Sequence, residues 1–251
     1  FEEATFQDQQ IPVFASEAKE DWIFGGNRSG KSDAGAKATV IQLTGIVPAA
    51  IKHLYKKKIR IPSDVWVCSI DFYNSRDIAQ KKILSMIPQD MIKHWDQRNH
   101  LLELTNGSKC GFKSYDSGPM AFQGTDKDFI WKDEEPPKDI NDECDFRLMD
   151  RGGYSITTMT PTQGITWVYN NVYLKRNDRP EVKCYFLNTE LNPYLNQEEM
   201  GRLKEKHKDD CAMRGKGEFI SRTGQIFKID RRVNICKPFP IPKSWNRYRV
   251  I

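Results

Sequence analysis

The chain is short of the residues that build the common zinc sites. It has four histidines, and its six cysteines are so scattered that no CxxC pair or Cys/His cluster forms. Long apolar runs are missing too: none approaches the roughly 20 residues a membrane helix needs, and no signal peptide is visible. There are no internal repeats and no low-complexity segments. Neither charge sign dominates, since 39 cations against 34 acids leave a net +5, a balance compatible with a nucleic-acid partner but weak on its own. Aromatics, at 11%, exceed what disordered chains carry. These features together predict a soluble, globular, intracellular protein with reduced thiols. Cys68 and Cys184, lying in apolar runs, read as buried small hydrophobes. At 251 residues the length suits one large α/β unit with a small appendage.

Apolar segments and helical periodicities alternate along the chain. "DWIFGG" reads as a buried strand entering a glycine turn, and "SDAGAKATVIQLTG" as a helix stopped by Gly45. "DVWVCSID" reads as a central strand. "SRDIAQKKILSMIP" reads as a helix with Ile78, Ile83, Leu84 and Ile87 on one face. "LLELTNGSKCGFKSY" forms a hairpin around Asn106-Gly107, and "DFIWKDEEPP", "YSITTMTP" and "KCYFLN" are further strands. "NQEEMGRLKEKHK" reads as an exposed helix capped by Asn196. The alternation predicts a mainly parallel sheet with helices on both faces.

The stretch "FGGNRSGKS" carries the chemistry. Gly25, Gly30, Lys31 and Ser32 satisfy G-x-x-x-x-G-K-[ST], with a strand before and a helix after. Glycines let backbone N–H groups of Gly25, Gly26, Asn27, Arg28, Ser29 and Gly30 curl around a phosphate. Lys31 bridges β and γ oxygens, and the Ser32 hydroxyl goes to Mg²⁺. The ligand read from this loop is a nucleoside triphosphate. Arg28 could reach the γ-phosphate or point to solvent.

A metal-orienting acid is then needed at the end of a neighbouring strand, and "FIWKDEE" offers Asp133. Glu134 beside it can polarise an attacking water, which makes hydrolysis the expected reaction; Glu135 could exchange roles with it. Lys132 is expected at an exposed strand end. Thr158 and Thr160, two apart on one strand face, could sense the γ-phosphate or be ordinary strand residues. The densest basic run, "KHLYKKKIR" (Lys52–Arg60), could meet DNA phosphates or be a solvated helix end.

In order, "WIFGGNRSGKS", "SYDSGPMAFQGTDKDFIWKDEEPP", "ITTMTPTQGITWVY" and "NPYLNQEEM…GKGEF…GQIF" resemble the ATPase domain of the large terminase subunit, the DNA-packaging motor of tailed bacteriophages. The resemblance runs from about Gln10 to the end. It implies a P-loop NTPase of the ASCE type, using ATP and Mg²⁺. Lys31 and Ser32 would hold phosphate and metal, Asp133 the metal, and Glu134 would be the base. Arg28 would be the Walker A arginine, Thr158 or Thr160 part of the coupling motif, and Gln10 the glutamine that reads adenine. Implied partners are double-stranded DNA, the portal protein of the procapsid and the small terminase subunit. A homo-oligomeric ring is expected on assembly and a monomer for the isolated domain, in the host bacterial cytoplasm with no membrane role. Residues 1–224 would be the ATPase domain and 225–251 a linker towards a nuclease domain that this chain does not reach. One departure stands out: Gln123 occupies a position where some members carry an arginine that acts on a neighbouring subunit's γ-phosphate. Arg28 within the subunit, or Arg147 or Arg151 in trans, are the candidate replacements. Two rival functions are a P-loop phosphotransferase, against which Glu134 weighs, and a nucleotide-gated docking module with little turnover.

Overall fold

The computed structural model describes residues 1–162, 164–196, 198, 201 and 202. Their elements are α1 (Ile11–Phe14), β1 (Glu20–Gly25), α2 (Lys31–Thr44), β2 (Asp64–Ser69) and α3 (Phe72–Asn74). A π turn (Ser75–Gln80) follows and leads into α4 (Lys81–Met86). Next come β3 (Ile92–Asp96), β4 (Leu101–Leu104), β5 (Lys109–Ser114), β6 (Phe129–Asp133), α5 (Lys138–Met149) and β7 (Tyr154–Met159). A second π turn (Tyr169–Tyr173) precedes β8 (Val182–Leu187).

The strands form one sheet in the order β3-β4-β5-β2-β6-β7-β1-β8. From β5 to β8 every neighbour pair is parallel; the β3-β4-β5 edge is antiparallel. β7 lies between β1, which carries the phosphate loop, and β6, which carries the acids. This inserted strand is the ASCE arrangement of an α/β P-loop NTPase.

Both faces are covered, so the central strands are apolar on both sides. Ile23, Val65, Val67, Phe129, Trp131 and Ile156 face α2 and α4. Trp66, Cys68 and Ile130 face α5, while Trp22, Phe24 and Met159 pack on the Tyr169–Tyr173 turn. Helix α2 is buried almost throughout and stops where Gly45, at φ 76°, donates its N–H to Ile41 O.

Three sequence expectations are corrected here. Ile78 is 37% exposed, whereas Ala79, Ile83 and Ile87 are buried. The π turn inserts an extra residue into the helical repeat and rotates Ile78 off the core face. Lys132 does not mark an exposed strand end; it is 0% exposed. It sits under α5, donating to Asn141 Oδ1 at 2.6 Å, 3.9 Å from Asp145 and 5.4 Å from the Trp22 ring centre. Cys68 is buried, as are Cys110 and Cys144, but Cys184 is only half-buried, on β8 at the sheet edge. The helix expected from "NQEEMGRLKEKHK" and the linker 225–251 lie largely or wholly outside the described residues. No described helix is long and apolar enough to cross a membrane.

Candidate functional site

The phosphate loop joins β1 to α2 at the carboxyl end of the parallel strands. Two of its residues, Arg28 at φ 64° and Gly30 at φ 94°, take left-handed backbone. Its outer side is tied down residue by residue. Thr189 Oγ1 donates to Asn27 O at 2.9 Å, and Asn192 Nδ2 to Arg28 O at 2.7 Å. Gln9 Nε2 donates to Ser29 O at 3.3 Å, and Gln10 Nε2 to Gly30 O at 2.8 Å. Four successive carbonyls are thus engaged away from the loop's concave side, which leaves that side to N–H groups and suits an anion. A side chain at Gly30 would be strained by the φ of 94°, and its Cβ would stand 2.6 Å from Gln7 Nε2, which would have to shift. Helix α2 begins at Lys31 and adds its N-terminal dipole.

The acids stand at the end of β6. Asp133 is 5% exposed, and its Oδ1 accepts from Ser32 Oγ at 3.0 Å and from Thr158 Oγ1 at 2.8 Å. Thr158 is itself held by Trp131 Nε1 at 2.8 Å. Burial pushes the Asp133 carboxyl up, against the pull of these hydroxyls and of Lys31. Glu134 takes left-handed backbone, φ 64°. Its N–H donates to Thr158 O at 2.7 Å, its Oε2 accepts from Thr160 N at 3.0 Å, and its Oε1 lies 3.7 Å from Lys31 Nζ. Burial raises its carboxyl as well, with Lys31 opposing. Burial also raises Glu135, with Thr166 opposing. Thr160 lies just past the end of β7, and its buried hydroxyl has no hydrogen-bond partner among the described residues.

Lys31, Ser32, Asp133, Glu134, Thr158 and Thr160 therefore converge. A cleft of about 860 Å³ runs beside the loop, lined by Gln7, Arg28, Lys31, Ser32, Ile78 and Tyr194 among others. Arg28 is exposed on that cleft. Gln10 is 0% exposed and its amide is committed to Gln7 N, Gly30 O and Asp33; Gln7, three residues earlier, lines the cleft. Sequence reasoning misses Gln7, Gln9, Thr189 and Asn192. The last two lie more than 160 residues from the carbonyls they hold, so no local pattern marks them.

Other candidates lie elsewhere. Arg147 sits 4.0 Å from Glu143. Arg151 donates to Asp128 at 2.9 Å, at the sheet end opposite the phosphate loop. Gln123 is exposed and donates to Glu143. The basic run is not a helix end: Lys57 is buried against Asp21 at 2.8 Å, Lys56 pairs with Glu17 at 3.4 Å and Arg60 with Asp128 at 3.4 Å.

The donor set fits Mg²⁺. Ser32 and Asp133 offer hard oxygens side by side, and no group of three or more His, Cys, Asp or Glu gathers among the described residues. One carboxylate and one hydroxyl, completed by substrate phosphates, is how this ion is usually held in nucleotide sites.

A family model for the terminase large subunit, T4likevirus-type, N-terminal, matches residues 22–233. The chain is 28% identical over 135 residues to the terminase large subunit of Salmonella phage P22, covering 54% of this chain and 27% of that protein. The large terminase ATPase domain of Thermus phage P74-26 superposes with a TM-score of 0.67 at 18% identity, over 86% of this chain and 94% of that one. For the large terminase of another thermophilic bacteriophage the TM-score is 0.70 at 14% identity, over 86% of this chain and 54% of that one. This second thermophilic terminase also has structures in complex with ADP and with ATP-gamma-S. The chain spans about a quarter of the phage P22 protein's length and about half of the second thermophilic chain. With the family match running over residues 22–233, the chain belongs to the terminase large subunit family and carries its N-terminal part.

Proposed function

We propose that this chain is the ATP-hydrolysing motor domain of a large terminase, driving double-stranded DNA into a procapsid. The observation that carries hydrolysis is the setting of Glu134, whose carboxylate is fixed between Lys31 Nζ and Thr160 N–H. The loop amides and Lys31 bind the triphosphate, and Ser32 and Asp133 would hold Mg²⁺, which neutralises phosphate charge. Glu134 accepts a proton from water as that water's oxygen bonds to the γ-phosphorus. The bond to the β-phosphate oxygen breaks, giving ADP and phosphate. Gln7, rather than the fully engaged Gln10, faces the base. Thr160, whose backbone holds Glu134 and whose hydroxyl has no partner among the described residues, and Thr158, which holds Asp133, report the γ-phosphate to β7. Arg28, on the cleft, stabilises transition-state charge in place of an arginine at position 123. Arg147 and Arg151, both at a distance from their own loop, are the trans candidates.

Residues 1–224 form the motor domain and 225–251 a linker; DNA, the portal and the small terminase subunit are its partners, and the assembled form is a ring in the host cytoplasm. A docking module with little turnover is the second reading, favoured by Gln123. Steady-state ATP hydrolysis at several protein concentrations, for wild type and Glu134→Gln, tests both. General-base loss should lower turnover by about 10²–10⁴-fold with nucleotide affinity kept. Full activity in Glu134→Gln overturns the assignment, and negligible wild-type turnover even with duplex DNA favours the docking module. Activity per subunit that climbs with concentration points to Arg147 or Arg151 of a neighbour.

A further inference from the structure

Tyr115 belongs to neither the phosphate loop nor the acidic pair, yet its side chain ends on the acids' backbone. It is the first residue after β5, and its ring packs under α5 with Cys68, Phe122 and Cys144. Its hydroxyl lies 3.2 Å from the carbonyl oxygen of Glu134 and 3.4 Å from that of Asp133. A phenol has a single proton to donate, so these two peptide groups share it.

What the hydroxyl grips is unusual backbone. Glu134 stands at φ 64°, a region that residues with a Cβ seldom occupy and that persists only when the surroundings fix it. Each polar group of Glu134 has its own restraint. The N–H goes to Thr158 O, the carboxylate takes the Thr160 N–H, and the carbonyl takes the Tyr115 hydroxyl. Two of these come from β7 and its end. The third comes from the other side of β6, from a residue outside the phosphate loop and its braces.

We propose that Tyr115 is a positioning residue for hydrolysis: its hydroxyl holds the left-handed backbone of Glu134 so that the carboxylate stays aimed at the attacking water. The inference rests on Glu134 as the base. Tyr115 acts through the peptide carbonyls of Asp133 and Glu134, so its loss should fall on the chemical step and spare binding.

The test is a double-mutant cycle of Tyr115→Phe and Glu134→Gln, read by steady-state and single-turnover ATP hydrolysis, by titration with a fluorescent ATP analogue, and by thermal melting. Tyr115→Phe keeps the ring and removes the hydroxyl. It should lower kcat about tenfold, equivalent to about 1.4 kcal/mol at the transition state, with KM and nucleotide affinity within about twofold. In the Glu134→Gln background the same change should leave the residual single-turnover rate unaltered, because the group it positions is gone. The proposal is overturned if Tyr115→Phe keeps kcat within about twofold. It is equally overturned if affinity and melting temperature fall together with the rate, or if the two substitutions multiply. Full turnover in Glu134→Gln would instead remove the base assignment itself, a result visible without reference to Tyr115.

Discussion

Helix α2 rides on β6 without a spacer, and Gly35 is the point of contact. A Cβ built at Gly35 would stand 2.3 Å from Cε2 and Nε1 of the Trp131 ring and 2.9 Å from its Cδ1, about 1 Å inside an ordinary contact. Trp131 is 0% exposed and holds Thr158, which holds Asp133. At an exposed helix position Gly→Ala stabilises by up to about 1 kcal/mol. Here the sign should reverse. Overpacking a core costs about 1–3 kcal/mol, and an approach of 2.3 Å to a buried ring belongs to the upper part of that range, about 2–3 kcal/mol, so Gly35→Ala should destabilise by about 1–2 kcal/mol net after a helix gain of about 1 kcal/mol is subtracted. For a domain of this size that is a fall in melting temperature of about 2–8 °C. Because the ring can yield only by moving the Thr158–Asp133 bond, turnover should drop as well. Trp131→Phe in the Gly35→Ala background should recover part of the lost stability by giving the methyl room, though not the Nε1 hydrogen bond. Calorimetry on the wild type and these two variants decides the matter. A melting temperature for Gly35→Ala at or above wild type refutes the account, because it would mean that the helix gain outweighs the contact.

Asn141→Leu, which strips the fully buried Lys132 ammonium of its 2.6 Å partner, should cost about 3 kcal/mol in urea unfolding, whereas Lys132→Met, which removes the charge itself, should cost clearly less. Asn192→Ala, freeing the Arg28 carbonyl, should weaken nucleotide binding about fivefold, the worth of one hydrogen bond near 1 kcal/mol, as read by isothermal titration. In a pH–rate profile, kcat should fall on acidification at a higher pH than an ordinary glutamate would give, because burial raises the Glu134 carboxyl and the base must be ionised; a limb in the ordinary range would contradict this. Asp133, also raised by burial, holds its proton longer folded than unfolded, so stability should decline as pH rises through the interval between the two states' values. Asp133→Asn should flatten that part of the stability curve measured by denaturant titration.

The parts of this fold that sequence makes legible are those whose environment is uniform. β1, β2, β6 and β7 run apolar because both of their faces are covered, and the phosphate loop shows through the spacing of Gly25, Gly30, Lys31 and Ser32. Lys132 misleads because a lysine among apolar neighbours looks like a strand end. Its partners, Asn141 and Asp145, come from a helix whose placement over β6 is a tertiary fact. Ile78 misleads for a different reason: an α-helical repeat does not hold through a stretch where the structure inserts a π turn. β3 leaves no clear signal, since its burial is slight and unpatterned. The braces on the loop are hidden by distance along the chain, and Tyr115 by its ordinary appearance at the end of a hairpin strand.

Those braces bear on how the protein is made. Thr189 and Asn192 hold carbonyls 162 and 164 residues earlier, and β8, just before them, forms the outer neighbour of β1. Contacts of such long range form late, because chain closure must precede them. The nucleotide site is thus written near the start of the sequence but completed near the end of the described domain. A ribosome-bound chain that has not yet delivered β8 and the turn after it holds every residue of the phosphate motif and lacks the groups that shape it. Competence to bind nucleotide should therefore appear during synthesis as a late, abrupt gain, making it a natural reporter of finished folding.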